Sequence, residues 1–444
     1  MYKRQIETRV SVSTGTLFVP STGSVTFVEN DGVNDTAFSI RGTAAEITAV
    51  LEGMIYSPPL NFSGIVELSI ASGLPGTAPS SPERTVDRLF IQVHGQVTAT
   101  TEVDVPTDTS NTETFYNINR GSQNAVGLFP DGRYVVVWSA NGAPEAAGDF
   151  DVFARIMNAD GTESVAPFVV NETSTIVTEQ GNQRGASVAV NDDGTFVVVY
   201  TTDDSGSENV VVRRFDSSGV PLTAEIPAHA PSGDIQNNAA IAMNHLGEFV
   251  VVWEDSVQGI VMQRFDSSAG TVGGPILVVA NTATRDPSVA IDALGRIFLI
   301  WGHDSTGGIQ ARVWNPETSS FFGLLQLSNT NASGGAVVAV NDAGEGVFAW
   351  HEDGDGTGSW DIFERRIDPN GTIFAQTQVN TDTTNNGHFV PSVAVDVAGN
   401  YAITWAGRTT GDNFGLTVRQ YNADGIPITD SEHCLLYTSP SPRD

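Results

Sequence analysis

The chain has 444 residues, 45 of them glycine, with 40% hydrophobic and 8% aromatic residues, which is a globular composition long enough for two or three domains. Its formal charge is −31, a field that repels nucleic acid and anionic membrane surfaces and excludes both as expected partners. No apolar run reaches the length needed to span a bilayer, so no membrane insertion is expected.

Both ends read as foreign sequence. MYKRQ (1–5) and CLLYTSPSPRD (434–444) resemble translated sequencing adapter, so the natural fragment is expected at about 6–433. Setting aside Lys3, Arg4, Arg443 and Asp444 leaves 18 arginines, no lysine and 51 acids, for a charge of −33. Cys434 falls in the same tail, so no disulfide, cysteine nucleophile or cysteine-based metal site is expected. Such a chain must be held by its core, by repetition or by Ca²⁺.

Residues 6–95 come first. VSVSTGTLFVP, SVTFVEND, TAFSIRGT, GIVELSIAS and DRLFIQVH read as strands, and TAAEITAVLEGM (43–54) as one short helix. A Pro/Ser/Gly-rich loop follows at 73–85. Strands of this length and spacing predict a β-sandwich of the cadherin or immunoglobulin kind.

From 96 to 430 the chain repeats. The units read NAVGLFPDGRYVVVW (124–138), ASVAVNDDGTFVVVY (186–200), AAIAMNHLGEFVVVW (239–253), PSVAIDALGRIFLIW (287–301), AVVAVNDAGEGVFAW (336–350) and PSVAVDVAGNYAITW (391–405). Their turn glycines are spaced by 62, 53, 48, 49 and 55 residues. Each unit continues into a second hairpin, such as NVVVRRFDSSGV or DIFERRIDPNGT, and a less regular fourth strand, such as APFVVN, GLLQLS or AQTQVN. Four strands in about 50 residues is the pattern of a propeller blade. The continuously apolar second strands (FVVVY, FVVVW, IFLIW) require burial on both faces, as between two blades. The fold class is therefore all-β, a β-propeller of about six blades, six visible and a seventh allowed, preceded by the sandwich. TEVDVPTDTSNTE (101–113) reads like TQVNTDTTNNG (377–387), an orphan fourth strand that could complete the last blade, whose own fourth strand is IPITD (426–430).

Two features recur at fixed positions. The aromatics Trp138, Tyr200, Trp253, Trp301, Trp350 and Trp405 end the second strands. They are expected to pack between blades rather than to form a sugar-binding platform. Arg155, Arg213, Arg312, Arg365 and Arg419 recur on the third strand, where the third unit has Gln263. They are expected to bond carbonyls or an Asp of a neighbouring blade.

One loop carries candidate metal chemistry. Asp353, Asp355, Thr357, Ser359 and Asp361 place oxygen side chains at alternate positions, with Gly358 at the sixth. Hard oxygens in this spacing suit Ca²⁺, which is the cofactor expected here. The loops at 141–151 and 203–205 are weaker versions. The histidines His94, His229, His245, His303, His351 and His388 show no paired metal spacing, and no GxSxG, Walker or dinucleotide motif stands on a strand–helix context.

VSVSTGTLFV with FSIRGTAAEITAVLEGMIYSPPLNFSG (38–64) is similar to the cadherin-like repeats of giant bacterial adhesins, and the DG-FVVVW and RRFDSSGVPL units resemble repeats of the same large secreted or surface proteins. The resemblance implies an extracellular or cell-surface location, Ca²⁺ dependence, a glycan or protein surface ligand and no catalytic residues. The primary expectation is a non-catalytic adhesion, binding or structural module. The alternative is a propeller carbohydrate-active enzyme, a hydrolase or lyase, which needs titratable groups converging in one pocket.

Overall fold

In the computed structural model, residues 5–93 and 124–435 are described, except for 14, 20–23, 31–32, 52–53, 58–63, 76–84, 142–149, 173–180, 204–206, 231–232, 304–307, 329–332, 354–359, 382–386, 410–411 and 429–432. The chain divides into two compact units. One is Met1–Glu102 with Pro130–Arg133 and Asn158–Gly161; the other is the remainder.

The first unit contains a five-stranded antiparallel sheet with Ile6–Val12 at its centre, flanked by Ala37–Gly42 and Gly64–Gly73. A three-stranded sheet pairs Thr16–Phe18 with Val33–Asp35 and Ile55–Ser57. Val10, Phe38 and Ile40 of the larger sheet, Leu17 of the smaller, and Ile47 and Val50 of the helix Ala44–Leu51 share one apolar core. The helix begins where Thr43 and Glu46 cap each other: Thr43 N–H donates to Glu46 Oε2 at 2.8 Å, and Glu46 N–H to Thr43 Oγ1 at 3.4 Å.

The second unit is a succession of antiparallel sheets that follow the six repeat units, with strands paired in chain order. In the second sheet the order is Gln183–Val190, Phe196–Thr202, Asn209–Phe215, Ile226–Pro227. The fourth sheet adds a short strand, Leu325–Ser328. In the sixth, the fourth position is held by His433–Leu435, paired with Leu416–Val418. This differs from the expected IPITD strand. Pro427 only bridges Tyr421, as Pro221 bridges Phe215 and Ile373 bridges Ile367, so this stretch closes the hairpin in each unit and the fourth strand comes later. The expected orphan strand at 101–113 lies outside the described residues.

The apolar second strands are buried on both faces, for a reason visible residue by residue. Phe196, Val198 and Tyr200 join the core shared with the first sheet, while Val197 and Val199 join the core shared with the third. Phe249, Val251 and Trp253 face the second sheet, and Val250 and Val252 the fourth. A period of two thus feeds two cores at once. The terminal aromatics complete these seams. Tyr200, Trp253, Trp301, Trp350 and Trp405 are fully buried and Trp138 nearly so, which makes them packing groups, not a platform.

Three of the recurring arginines tie sheets together, while Arg155 pairs with Glu163 of its own sheet. Arg213 Nη1 donates to Val170 O at 2.7 Å and Arg312 Nη1 to Val278 O at 2.5 Å, and Arg419 bonds Val379 O in the same way. Each acceptor lies at the fourth strand of the preceding sheet. Gln263 is too short to cross, and donates instead to Arg264 O of its own strand at 2.8 Å.

Many acids are consumed by the turns. Asp292 Oδ1 accepts from Leu294 and Arg296 N–H at 3.0 and 2.8 Å, and Asp396 Oδ1 from Ala398 and Asn400 N–H at 2.9 and 2.8 Å. Asp216, Asp266 and Asp368 do the same at the second hairpin. These carboxylates build Asx turns and are engaged by the backbone rather than free for a ligand. Asp368 is held ionised below its usual range by the Thr372 N–H that it accepts.

Candidate functional site

With the turns occupied on one side, the candidate site lies on the other, where second strands lead to third strands and fourth strands lead to the next first strand. Here every inner strand from the second sheet onward is bulged. Register shifts fall at Arg184/Ser187, Asn237/Ala240, Arg285/Ser288, Gly334/Val337 and Phe389/Ser392. At each bulge one residue takes a left-handed backbone: Gly185 (φ 67°), Asn238 (51°), Asp286 (53°), Gly335 (55°) and Val390 (52°). Glycine and Asn or Asp tolerate this region, whereas β-branched Val390 is strained there.

The residue before each bulge differs between sheets: Arg184, Asn237, Arg285, Gly334 and Phe389. In the second to fourth sheets these residues organise carboxylates. Arg184 is ion-paired with Glu208 and lies 3.9 Å from Asp203. Asn237 Nδ2 donates to Glu208 Oε2 at 2.7 Å. Glu254 accepts from Asp286 N–H at 2.7 Å and from Arg285 Nη1 at 3.4 Å.

Of these, Asn237, Glu254 and Arg285 line a cavity of about 280 Å³ together with Asp255, Ser256 and Thr284, among others. Asp255 is spent on its own turn, accepting from Val257 and Gln258 N–H at 3.0 and 2.8 Å. Glu254 is the acid at hand, at a position that is Ser139, Thr201, Gly302, His351 and Ala406 in the other units. Comparing the units would have flagged it, because a carboxylate departs from the repeat there. A carboxylate, a guanidinium and an amide around a polar cavity can bind hydroxyl-rich ligands and move protons.

In the fifth and sixth sheets the same side is aromatic. His351 meets Trp360 edge-on at 5.0 Å and Phe389 at 5.8 Å. Its Nδ1 accepts from Val390 N–H at 3.3 Å. Burial pulls the imidazole down to about 4, so it is neutral at ordinary pH.

The expected calcium loop is divided. Asp355, Thr357 and Ser359 lie outside the described residues. Asp353 closes the second strand's exit and Asp361 opens the third strand. Asp361 Oδ1 accepts from Asn380 Nδ2 at 2.7 Å. Among the described residues no three His, Cys, Asp or Glu side chains are grouped to hold a metal.

No protein-family model and no curated protein sequence matches the chain. Solved structures do. A leech intramolecular trans-sialidase complexed with 2,7-anhydro-Neu5Ac matches over 95% of this chain and 94% of its own, at 7% identity and a TM-score of 0.46. A point variant of the sialidase NanB from Streptococcus pneumoniae matches over 93% of both chains, at 9% identity and 0.44. An α-L-arabinofuranosidase from Podospora anserina, in complex with cellotriose, matches over 56% of this chain and 93% of its own, at 12% identity and 0.34. These are carbohydrate-active enzymes, not adhesins: neither the expected non-catalytic adhesion module nor the adhesin and cadherin-like resemblance finds a counterpart among them. Identities this low transfer no residue roles. No helix among the described residues is long and apolar enough to cross a membrane.

Proposed function

We propose that the chain is a carbohydrate-active propeller enzyme, a hydrolase or lyase, acting on a glycan held at the loop side of its second to fourth sheets. The observation that carries this reading is the cavity in which Glu254 and Arg285 meet, lined also by Asn237, whose side chain bonds Glu208 of the Glu208–Arg184 pair. Glycosidic cleavage by hydrolysis needs two carboxyl groups, one to protonate the leaving oxygen and one to activate water or attack carbon. Glu254 and Glu208, on either side of Asn237, are the proposed pair. In a lyase one of them would remove a proton from the sugar ring. Arg184 and Arg285 fix the carboxylates and offer further donors to sugar oxygens.

The test is a cleavage screen of the full chain against neutral, uronic and sialylated glycans, reading new reducing ends and unsaturated products. Cleavage of one class is expected, with kcat/KM lowered ~10²–10⁴-fold in Glu254→Gln and the unfolding midpoint unchanged. Equal activity of Glu254→Gln and the parent, or no cleavage of any class, would overturn the reading.

A further inference from the structure

On the third strand of the fifth sheet, Asp361–Ile367, Glu364 takes a position that is apolar in every other unit: Ala154, Val212, Met262, Ala311 and Val418. It is 3% exposed. It therefore stands inside the seam between the fifth and sixth sheets, against a core that includes Val347, Ala349, Ile362, Ile403 and Trp405. Its neighbour across the seam is Tyr401, in the place of Tyr134, Phe196 and Phe249, and its phenol O–H donates to Glu364 Oε1 at 3.4 Å. Tyr401 stacks on Tyr421, with ring centroids 4.6 Å apart. Glu364 Oε2 is buried without a hydrogen-bond partner. Beside the pair, a cavity of about 210 Å³ lined by Tyr401, Arg366, Glu345, Asp368, Phe374 and Asp424 opens on the turn side.

A buried carboxyl where every other unit is apolar, touching a phenol across the seam, is a built feature of this junction. We propose that Glu364 and Tyr401 form a proton-controlled latch between the fifth and sixth sheets, closed while Glu364 is protonated and loosened when it ionises. A protonated carboxyl is tolerated in an apolar seam, whereas an ionised one bears an uncompensated cost there. Few groups face it. Arg366 is on its own strand, Thr377 on the adjoining fourth strand, and Tyr401 and Tyr421 on the sixth sheet. Its partner on the second strand of its own sheet is Ala349.

Burial pushes the Glu364 carboxyl up from 4.5 to about 7, with Arg366, Tyr401 and Thr377 pulling weakly the other way. Burial and the nearby Glu364 carboxylate likewise push the Tyr401 phenol up. Between pH 4.5 and 7 the unfolded chain therefore binds fewer protons than the folded one, and stability falls as pH rises, levelling off above 7. His351, pulled down from 6.5 to about 4, has the opposite slope between those values. The latch is thus read from the difference between the parent and a variant, in which the His351 contribution cancels.

The test compares urea unfolding of the full chain from pH 4.5 to 8 with that of its Glu364→Gln variant. Relative to the variant, the parent's folding constant is expected to fall by up to ~300-fold across the window, the 2.5-unit displacement expressed as an equilibrium ratio. Hydrogen exchange in Asp361–Ile367 and Tyr401–Thr409 should quicken over the same range, beyond the intrinsic effect of pH. If Glu364→Gln does not fold, Tyr401→Phe serves. It keeps the carboxyl and restores the residue of the second and third sheets, and its loss of stability should extend past pH 7. Parallel profiles for the parent and Glu364→Gln, or a flat profile for Tyr401→Phe, would overturn the latch.

Discussion

Asn171 and Asp151 hold each other at 2.8 Å through the Asn171 side-chain amide, while the Asn171 carbonyl oxygen accepts the Val152 N–H at 2.9 Å. Asn380 and Asp361 repeat the arrangement four sheets later, at 2.7 Å, with the Ile362 N–H at 2.8 Å. A buried Asn after the fourth strand thus clamps the start of the third. Both Asn171 and Asn380 are buried, so neither bond exchanges readily with water. Replacing Asn380 with Ala leaves the Ile362 N–H without its acceptor and should lower stability by about 1–3 kcal/mol, measured by urea unfolding. Because Asp361 shares this role with Asp151, Asp361→Ala should lower the midpoint equally in excess calcium and in chelator. A loss confined to calcium would assign Asp361 to the metal instead.

Trp253 fills the seam between the second and third sheets and is fully buried. Trp253→Ala should cost about 3–5 kcal/mol. Leu246→Ala, at an exposed turn tip, should change stability by no more than about 0.5 kcal/mol. Thermal unfolding of the two variants side by side checks the contrast.

Arg213 bonds a carbonyl of the preceding sheet while its guanidinium lies 5.7 Å from the Phe215 ring. Arg213→Met keeps the stem and removes the donor, leaving Val170 O short of a partner. The expected loss is about 1–3 kcal/mol. Arg264→Met, in the third sheet where Gln263 holds the bonding position, should have a smaller effect. Equal losses would remove the inter-sheet bond as the cause.

Val390 is held at φ 52° by the bulge of the sixth sheet. Val390→Gly relieves a conformation that a β-branched residue tolerates poorly, against the entropy that glycine adds to the unfolded chain. The relief is of order 1–3 kcal/mol and the entropic cost about 1, so a raised unfolding midpoint is expected. Gly335→Val, which imposes the same strain and brings a Cβ within 2.8 Å of His351, should lower it.

His351 is neutral when folded, with burial as the cause. Acid between pH 6.5 and about 4 should therefore drain stability, because the unfolded chain takes up a proton that the folded chain refuses. His351→Phe removes that drain while keeping a ring against Trp360 and Phe389. The check is the unfolding midpoint of each protein at pH 4.5 and 7.

Repetition made most of the architecture legible. The run FVVVY could only be a strand buried on two faces, and Tyr200 and Val199 do enter different cores. The turn glycines Gly194, Gly247, Gly295, Gly344 and Gly399 all take positive φ, as a tight hairpin requires. The site was less legible because its signal is a deviation, not a pattern. Glu364 sits in DIFERRI as an unremarkable charge until that strand is laid beside NVVVRRF and GIVMQRF. The bulges were half written in Gly185 and Gly335, whereas Val390 gave no local sign of a left-handed backbone. The candidate loop 353–361 stands out by composition, and of its residues Asp355, Thr357 and Ser359 lie outside the described ones while Asp361 bonds Asn380.

The two-faced second strand has an evolutionary consequence. A sheet of this unit carries half of one core on one face and half of the next core on the other, since Phe196, Val198 and Tyr200 are matched by Phe249, Val251 and Trp253. What a gene duplication must copy intact is therefore the junction between sheets, not the sheet. An inserted or deleted unit leaves two cut surfaces that already fit one another, so an array of this kind can change its number of units without first inventing a new contact.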